Sequence, residues 1–238
     1  MVHSEVDFTT LGCSPIDADI VIVPNFGGWG NVPLSQARDL EPIITGVQQY
    51  LDSCGWRTIV APYRRAPAVF PQVPECRVQL GVITEMLGLH HTRARRFVNV
   101  LEAVARQNPK VKFLLIGLSN GATFVDKTVE LMSSRFDRQV AAVAIGIPFW
   151  SSICMSDNII HLDNGGGDPL TQGQVEELVG ATVAGLFLQF TDLISGRKTR
   201  FEDVWQIPDH FYRWEEMRPA VVNFINHWLV HDEPAFHH

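Results

Sequence analysis

Nothing in the 238-residue chain approaches the run of about 18 apolar residues that crosses a bilayer, and its longest apolar stretch, Val140–Trp150, reads as a buried strand. Positive charge is in the minority: 19 Lys and Arg stand against 26 Asp and Glu, a net charge of −7. A nucleic-acid partner would favour basic patches, so that class is excluded as an expectation. The four cysteines, Cys13, Cys54, Cys76 and Cys154, form no C-x-x-C pair and are expected as reduced thiols. There is no H-E-x-x-H and no Cys/His cluster at ligand spacing, so neither a metal nor another cofactor is expected. Met1–Asp7 has no basic n-region and no apolar h-region, and with no secretory signal the expected location is cytoplasmic. No internal repeat, low-complexity segment or long linker divides the sequence, which predicts a single domain over 1–238.

Apolar residues make up 46% of the chain, enough for a sizeable core. Asp19–Pro24 is continuous and β-branched, which predicts a buried strand stopped by Pro24. Arg57–Pro62, Val111–Ile116, Val140–Ile147, Asn158–Leu162 and Val204–Ile207 read as further strands. Helical spacing of apolar residues runs over Ser35–Leu51, Val78–Leu89, Thr92–Gln107, Ala122–Ser133, Gln172–Ile194 and Arg218–Val230, the last with Pro219 in its first turn. The stretch marked by Pro67, Pro71 and Pro74 reads as irregular and surface-lying. Short buried strands alternating with helices imply a parallel α/β sheet.

One pentapeptide stands in a chemically loaded place. Gly117-Leu118-Ser119-Asn120-Gly121 has the form G-x-S-x-G and lies between a predicted strand and a predicted helix. That context makes it a nucleophile elbow: the turn forces the serine into strained angles, and the flanking chains come too close for a Cβ. The competing reading is a serine in an ordinary strand-to-helix turn. An activated serine needs a base, a group that orients the base, and donors for the oxyanion, drawn from loops at the carboxyl ends of strands.

His210, in Ile207-Pro208-Asp209-His210, is the base candidate, because it alone among the histidines sits in a loop between a late strand and the last helix. His90 and His91 precede a helix, His161 lies inside a strand, and His227 and His231 lie in or just after the last helix. Asp168 is the favoured orienting acid, in a Gly-rich turn after Asn158–Leu162, although Asp is also a common helix N-cap. Asp192 takes the role if Gly185–Phe190 is strand instead of helix, and Asp163 is the third choice. The oxyanion candidates are the backbone N–H groups of Asn120 and of Phe26, in the Gly-rich loop Asn25–Asn31. That loop lacks the Walker Lys-Ser/Thr and the G-x-G-x-x-G spacing of phosphate cradles. Trp29, Phe149, Trp150 and Phe211 flank the expected site as candidates for an apolar pocket wall, or as ordinary core. Arg64-Arg65 could meet an anionic substrate but reads better as a solvated pair.

The ordered set of Gly-rich loop, G-x-S-x-G elbow, G-x-x-D-P loop and late histidine resembles the α/β-hydrolase superfamily over nearly the whole chain, from about Asp19 to Leu229. The resemblance implies a mostly parallel, twisted, eight-stranded sheet with helices on both faces, and a small cap or none, around 64–91 and 148–158. It implies a serine esterase or lipase-like hydrolase in which Ser119 is nucleophile, His210 base and Asp168 acid, acting on a small acyl substrate. Departures are Pro24-Asn25 where the family often has His-Gly, Ala122 where it often has glycine, and a 42-residue separation of Asp168 from His210. The alternatives are a hydrolase-fold scaffold without catalysis, or an acyltransferase or lyase on the same fold.

Overall fold

The structure is a computed structural model and describes residues 8–13, 15–26, 34, 37, 39–65, 91–149, 151–163, 165, 171 and 212–230. Outside the described residues lie 27–33, which include most of the Gly-rich loop Asn25–Asn31, the Pro-punctuated stretch with Val78–Leu89, Trp150, Asp168, all of Gln172–Ile194, Val204–Ile207, His210 and Phe211.

Five strands form one parallel sheet among the described residues: β1 Ile20–Asn25, β2 Thr58–Val60, β3 Lys112–Leu118, β4 Val140–Ile145 and β5 Ile159–Leu162, in the order β2-β1-β3-β4-β5. Four α-helices accompany them: α1 Glu41–Ser53, α2 His91–Gln107, α3 Asn120–Leu131 and α4 Trp214–Val230. The central strands β1, β3 and β4 are buried at every residue, as continuous apolar runs in a parallel sheet require.

Alternate residues of these strands feed two cores. Val21, Val23, Phe113, Leu115, Ala142 and Ala144 pack with Phe97 and Leu101 of α2 and Phe124 and Val125 of α3. Ile20, Ile22, Leu114, Ile116, Ala141 and Val143 pack with Ile44 and Val47 of α1 and Val221 and Ile225 of α4. The result is a three-layer α/β/α sandwich, each fully buried aliphatic or aromatic side chain contributing about 1.5–3 kcal/mol.

Chain handedness decides which helix takes which face. From β1 to β2 the chain steps one way along the sheet; from β2 across to β3, and from β3 to β4, it steps the other way. Right-handed crossovers therefore put α1 on one face and α2 and α3 on the opposite one. The reversal lies between β1 and β3, and the carboxyl ends of these two strands, at Asn25–Phe26 and Leu118–Ser119, are where open α/β sheets place their ligands.

Most boundaries shift by a residue or two from the sequence reading, and three of the differences turn on a proline. β1 continues through Pro24 to Asn25; Pro24 has no N–H to donate, but its carbonyl accepts from the Tyr63 N–H at 3.3 Å. α1 starts at Glu41, because Pro42 is tolerated only in a first turn. α4 starts at Trp214, so Pro219 lies inside the helix and not in its first turn; Glu215 and Glu216 occupy that turn, where the helix dipole favours anions.

Candidate functional site

Ser119 links β3 to α3 with φ 54° and ψ −121°, and it is the one non-glycine residue at positive φ among the described residues. Such a conformation costs roughly 1–3 kcal/mol and persists only where neighbours dictate it. They do so on both sides. The Ser119 N–H donates to the Ile145 carbonyl at the end of β4 (2.8 Å). Its own carbonyl accepts from Ala122 (2.8 Å) and Thr123 (3.1 Å), the first turn of α3. The serine is thus clamped between sheet and helix and remains partly exposed.

The flanking glycines are required by backbone approach. A Cβ on Gly117 would meet the Gly121 carbonyl oxygen at 2.3 Å, and one on Gly121 would meet the Asn25 carbonyl oxygen at 2.0 Å and that of Phe26 at 2.7 Å. The elbow is therefore pressed against the end of β1, and this brings Phe26 beside Asn120. Asn120 and Gly121 open α3, where backbone N–H groups lack partners within the helix and the dipole favours negative charge. Phe26 is buried at 2% exposure, so its side chain belongs to the core under the site.

Arg65 joins the two segments. It is buried, not solvated as the sequence suggested, and its guanidinium donates from Nη2 to the Phe26 carbonyl (2.5 Å) and from Nη1 to the Asn120 carbonyl (3.2 Å). The guanidinium carbon lies 5.5 Å from the centre of the Phe124 ring, which also stacks with Tyr63 and packs against Phe97. Burial, with the like charge of Arg93, pulls the Arg65 guanidinium down to about 9, which leaves it charged at neutral pH. Two buried polar atoms of the same neighbourhood, Asn25 Oδ1 and Thr123 Oγ1, have no hydrogen-bond partner among the described residues.

No family model matches the sequence, and no curated protein matches it. Among solved structures the chain is similar to a Trichoderma reesei cutinase in complex with a C11Y4 phosphonate inhibitor. The likeness has a TM-score of 0.52 and 14% identity, over 89% of this chain and 77% of the cutinase. The likeness shows a shared fold, a parallel α/β sheet with helices on both faces.

Of the residues singled out from sequence, the structure brings Ser119, Asn120 and Phe26 together at one end of the sheet. Phe149, at 47% exposure, and Asp163, just past β5, follow the carboxyl ends of β4 and β5. Trp29, Trp150, Asp168, Asp192, His210 and Phe211 lie outside the described residues.

A His–Asp pair does occur elsewhere. His161 Nε2 lies 2.7 Å from Asp126 Oδ1, which also accepts from the Cys154 N–H at 2.9 Å. Asp126 is seven residues past Ser119 along α3, two helical turns or about 10 Å away. His161 lies inside β5, paired with Ala144 and so one residue short of the Ile145 layer that holds Ser119. This pair ties β5 to α3. Cys54 and Cys154 are free thiols, and burial beside Asp126 pushes the Cys154 thiol up, away from reactivity. Among the described residues no cluster of His, Cys, Asp and Glu could hold a metal ion, and no helix is long and apolar enough to cross a membrane.

Proposed function

We propose that this protein is a serine hydrolase that cleaves a carboxylic ester or thioester through an acyl-enzyme on Ser119. The observation that carries the reading is the strained Ser119 backbone at the strand-order reversal, held there by the Ile145 and first-turn hydrogen bonds. A positive-φ serine is a cost with no packing return, since the Ser119 side chain is partly exposed; an attacking hydroxyl explains it. The fold likeness to a cutinase supports the same chemistry.

In this reading His210 accepts the Ser119 hydroxyl proton as Oγ bonds to the acyl carbon. Asp168 holds the imidazole tautomer and stabilises the imidazolium. The carbonyl oxygen takes the electron pair and meets the N–H groups of Phe26 and Asn120, each such donor being worth about 3–4 kcal/mol to the transition state. Collapse expels the alcohol or thiol, protonated by His210. Water repeats the sequence and frees the acid. Phe149, with Trp29, Trp150 and Phe211, would line the acyl pocket.

The test is a fluorophosphonate probe followed by intact-mass and peptide mass spectrometry, beside a chain-length series of p-nitrophenyl esters. One adduct on the peptide containing Ser119, and loss of both adduct and turnover in Ser119→Ala, is expected. Labelling at another residue, or undiminished turnover in Ser119→Ala, refutes the proposal.

A further inference from the structure

We infer that Arg65 is the positioning residue of the oxyanion hole, a planar fork that sets the spacing of its two backbone donors from behind. The inference rests on the hydrolase reading above. Its basis is the pairing of acceptors: one buried guanidinium bonds the carbonyls of Phe26 and of Asn120, the two residues whose N–H groups would meet the oxyanion. Phe26 directly follows β1 and Asn120 opens α3, 94 residues apart, so no local hydrogen-bond pattern fixes one against the other. The carbonyl and the amide of one residue share a Cα and two torsions. Holding both carbonyls from one rigid group therefore limits the position of both amides.

The chemistry suits arginine alone. Guanidinium presents several donors in a fixed plane, whereas an ammonium is a point donor on a flexible stem. The Phe124 ring beneath it, itself stacked on Tyr63, restricts where that plane can lie. A buried charge is expensive, and a core position on this face would be more stably filled by an apolar side chain unless the charge had a task.

The experiment compares wild type with Arg65→Lys and Arg65→Gln on a p-nitrophenyl ester and on the matching thionoester. Arg57→Gln, at the opposite end of β2, is the control. Thermal unfolding first establishes that each variant is folded at the assay temperature; if Arg65→Gln is not, Arg65→Lys carries the test. A loss of about 10- to 100-fold in kcat with KM nearly unchanged is expected for both Arg65 variants. Thiocarbonyl sulfur is larger and a poorer hydrogen-bond acceptor, so it uses the donors less. Misplaced donors therefore penalise the ester more, and the ester-to-thionoester ratio falls together with kcat. A merely structural Arg65 would lower Tm and depress both substrates in parallel, and that outcome overturns the inference. So does unchanged kcat in an active, fluorophosphonate-labelled enzyme, which leaves the hydrolase reading standing. A wild type with neither turnover nor adduct removes both.

Discussion

Gly121→Ala tests whether close approach of β1 to the helix start sets the site. The added Cβ would stand 2.0 Å from the Asn25 carbonyl oxygen, whereas ordinary contact begins at 3.4 Å, so strand end and helix must separate by about 1.4 Å. Neither side yields easily. Asn25 is in register with Gly117 of β3, and Gly121 sits in the first turn of α3 behind the clamped Ser119. Overpacking of this kind costs about 1–3 kcal/mol, and the helix preference for Ala over Gly returns up to about 1 kcal/mol. A net loss of about 1–2 kcal/mol lowers Tm by about 2–8 °C in a domain of this size. Turnover should fall further, because a shift of about 1 Å in reacting geometry can cost about 10²-fold. The comparator is Gly55→Ala, where φ is +88° and nothing lies within 4 Å of the new Cβ. It carries backbone strain alone, about 1–2 kcal/mol, with a similar drop in Tm and no change in kcat. Calorimetry and initial rates on a p-nitrophenyl ester measure both. A folded Gly121→Ala with wild-type kcat refutes the reasoning, and so does a Gly55→Ala that loses turnover in proportion to Tm.

The remaining predictions concern the residues that complete the proposed triad. kcat/KM should rise with pH through a value near the ordinary histidine pKa of about 6.5, because only neutral imidazole accepts the serine proton, and His210→Ala should abolish that limb while His91→Ala leaves it. Asp168→Asn should keep the fold and lower kcat by up to about 10⁴-fold, with Asp192→Asn nearly silent; the reverse ranking would make Gly185–Phe190 a strand and Asp192 the acid.

Much of this architecture is written locally in the chain. β3, α2 and α3 appear at their places because each is a continuous apolar run or an apolar stripe at helical spacing, and such patterns need no distant partner to be read. Phe97, Val98, Leu101 and Val104 of α2 are buried while Arg95 and Arg96 are exposed, as the spacing demands. Where two local signals compete, the boundary moves. Pro219 looks like a first-turn residue, yet the helix takes in Trp214–Arg218 because Trp214 and Met217 pack against the core on the α1 face.

The elbow was legible for a different reason. Its glycines are forced by contacts that always accompany a strand, a sharp turn and a helix, so a five-residue pattern encodes a three-dimensional crowding. Arg65 and Asp126 had no such signal. Arg65 bonds residues 39 and 55 positions away, and Asp126 meets His161 at a separation of 35. An arginine in a Pro-flanked loop after a strand is ordinarily a solvated charge. What makes this one different is that the strand order reverses beside β1, so Arg65 after β2, Phe26 after β1 and Asn120 after β3 meet at one end of the sheet. A polar group entering that meeting point can reach two backbone segments at once. The positive φ of Ser119 and the charge of Arg65 are thus two costs borne at one junction, and perturbing either should reach catalysis before it reaches the fold.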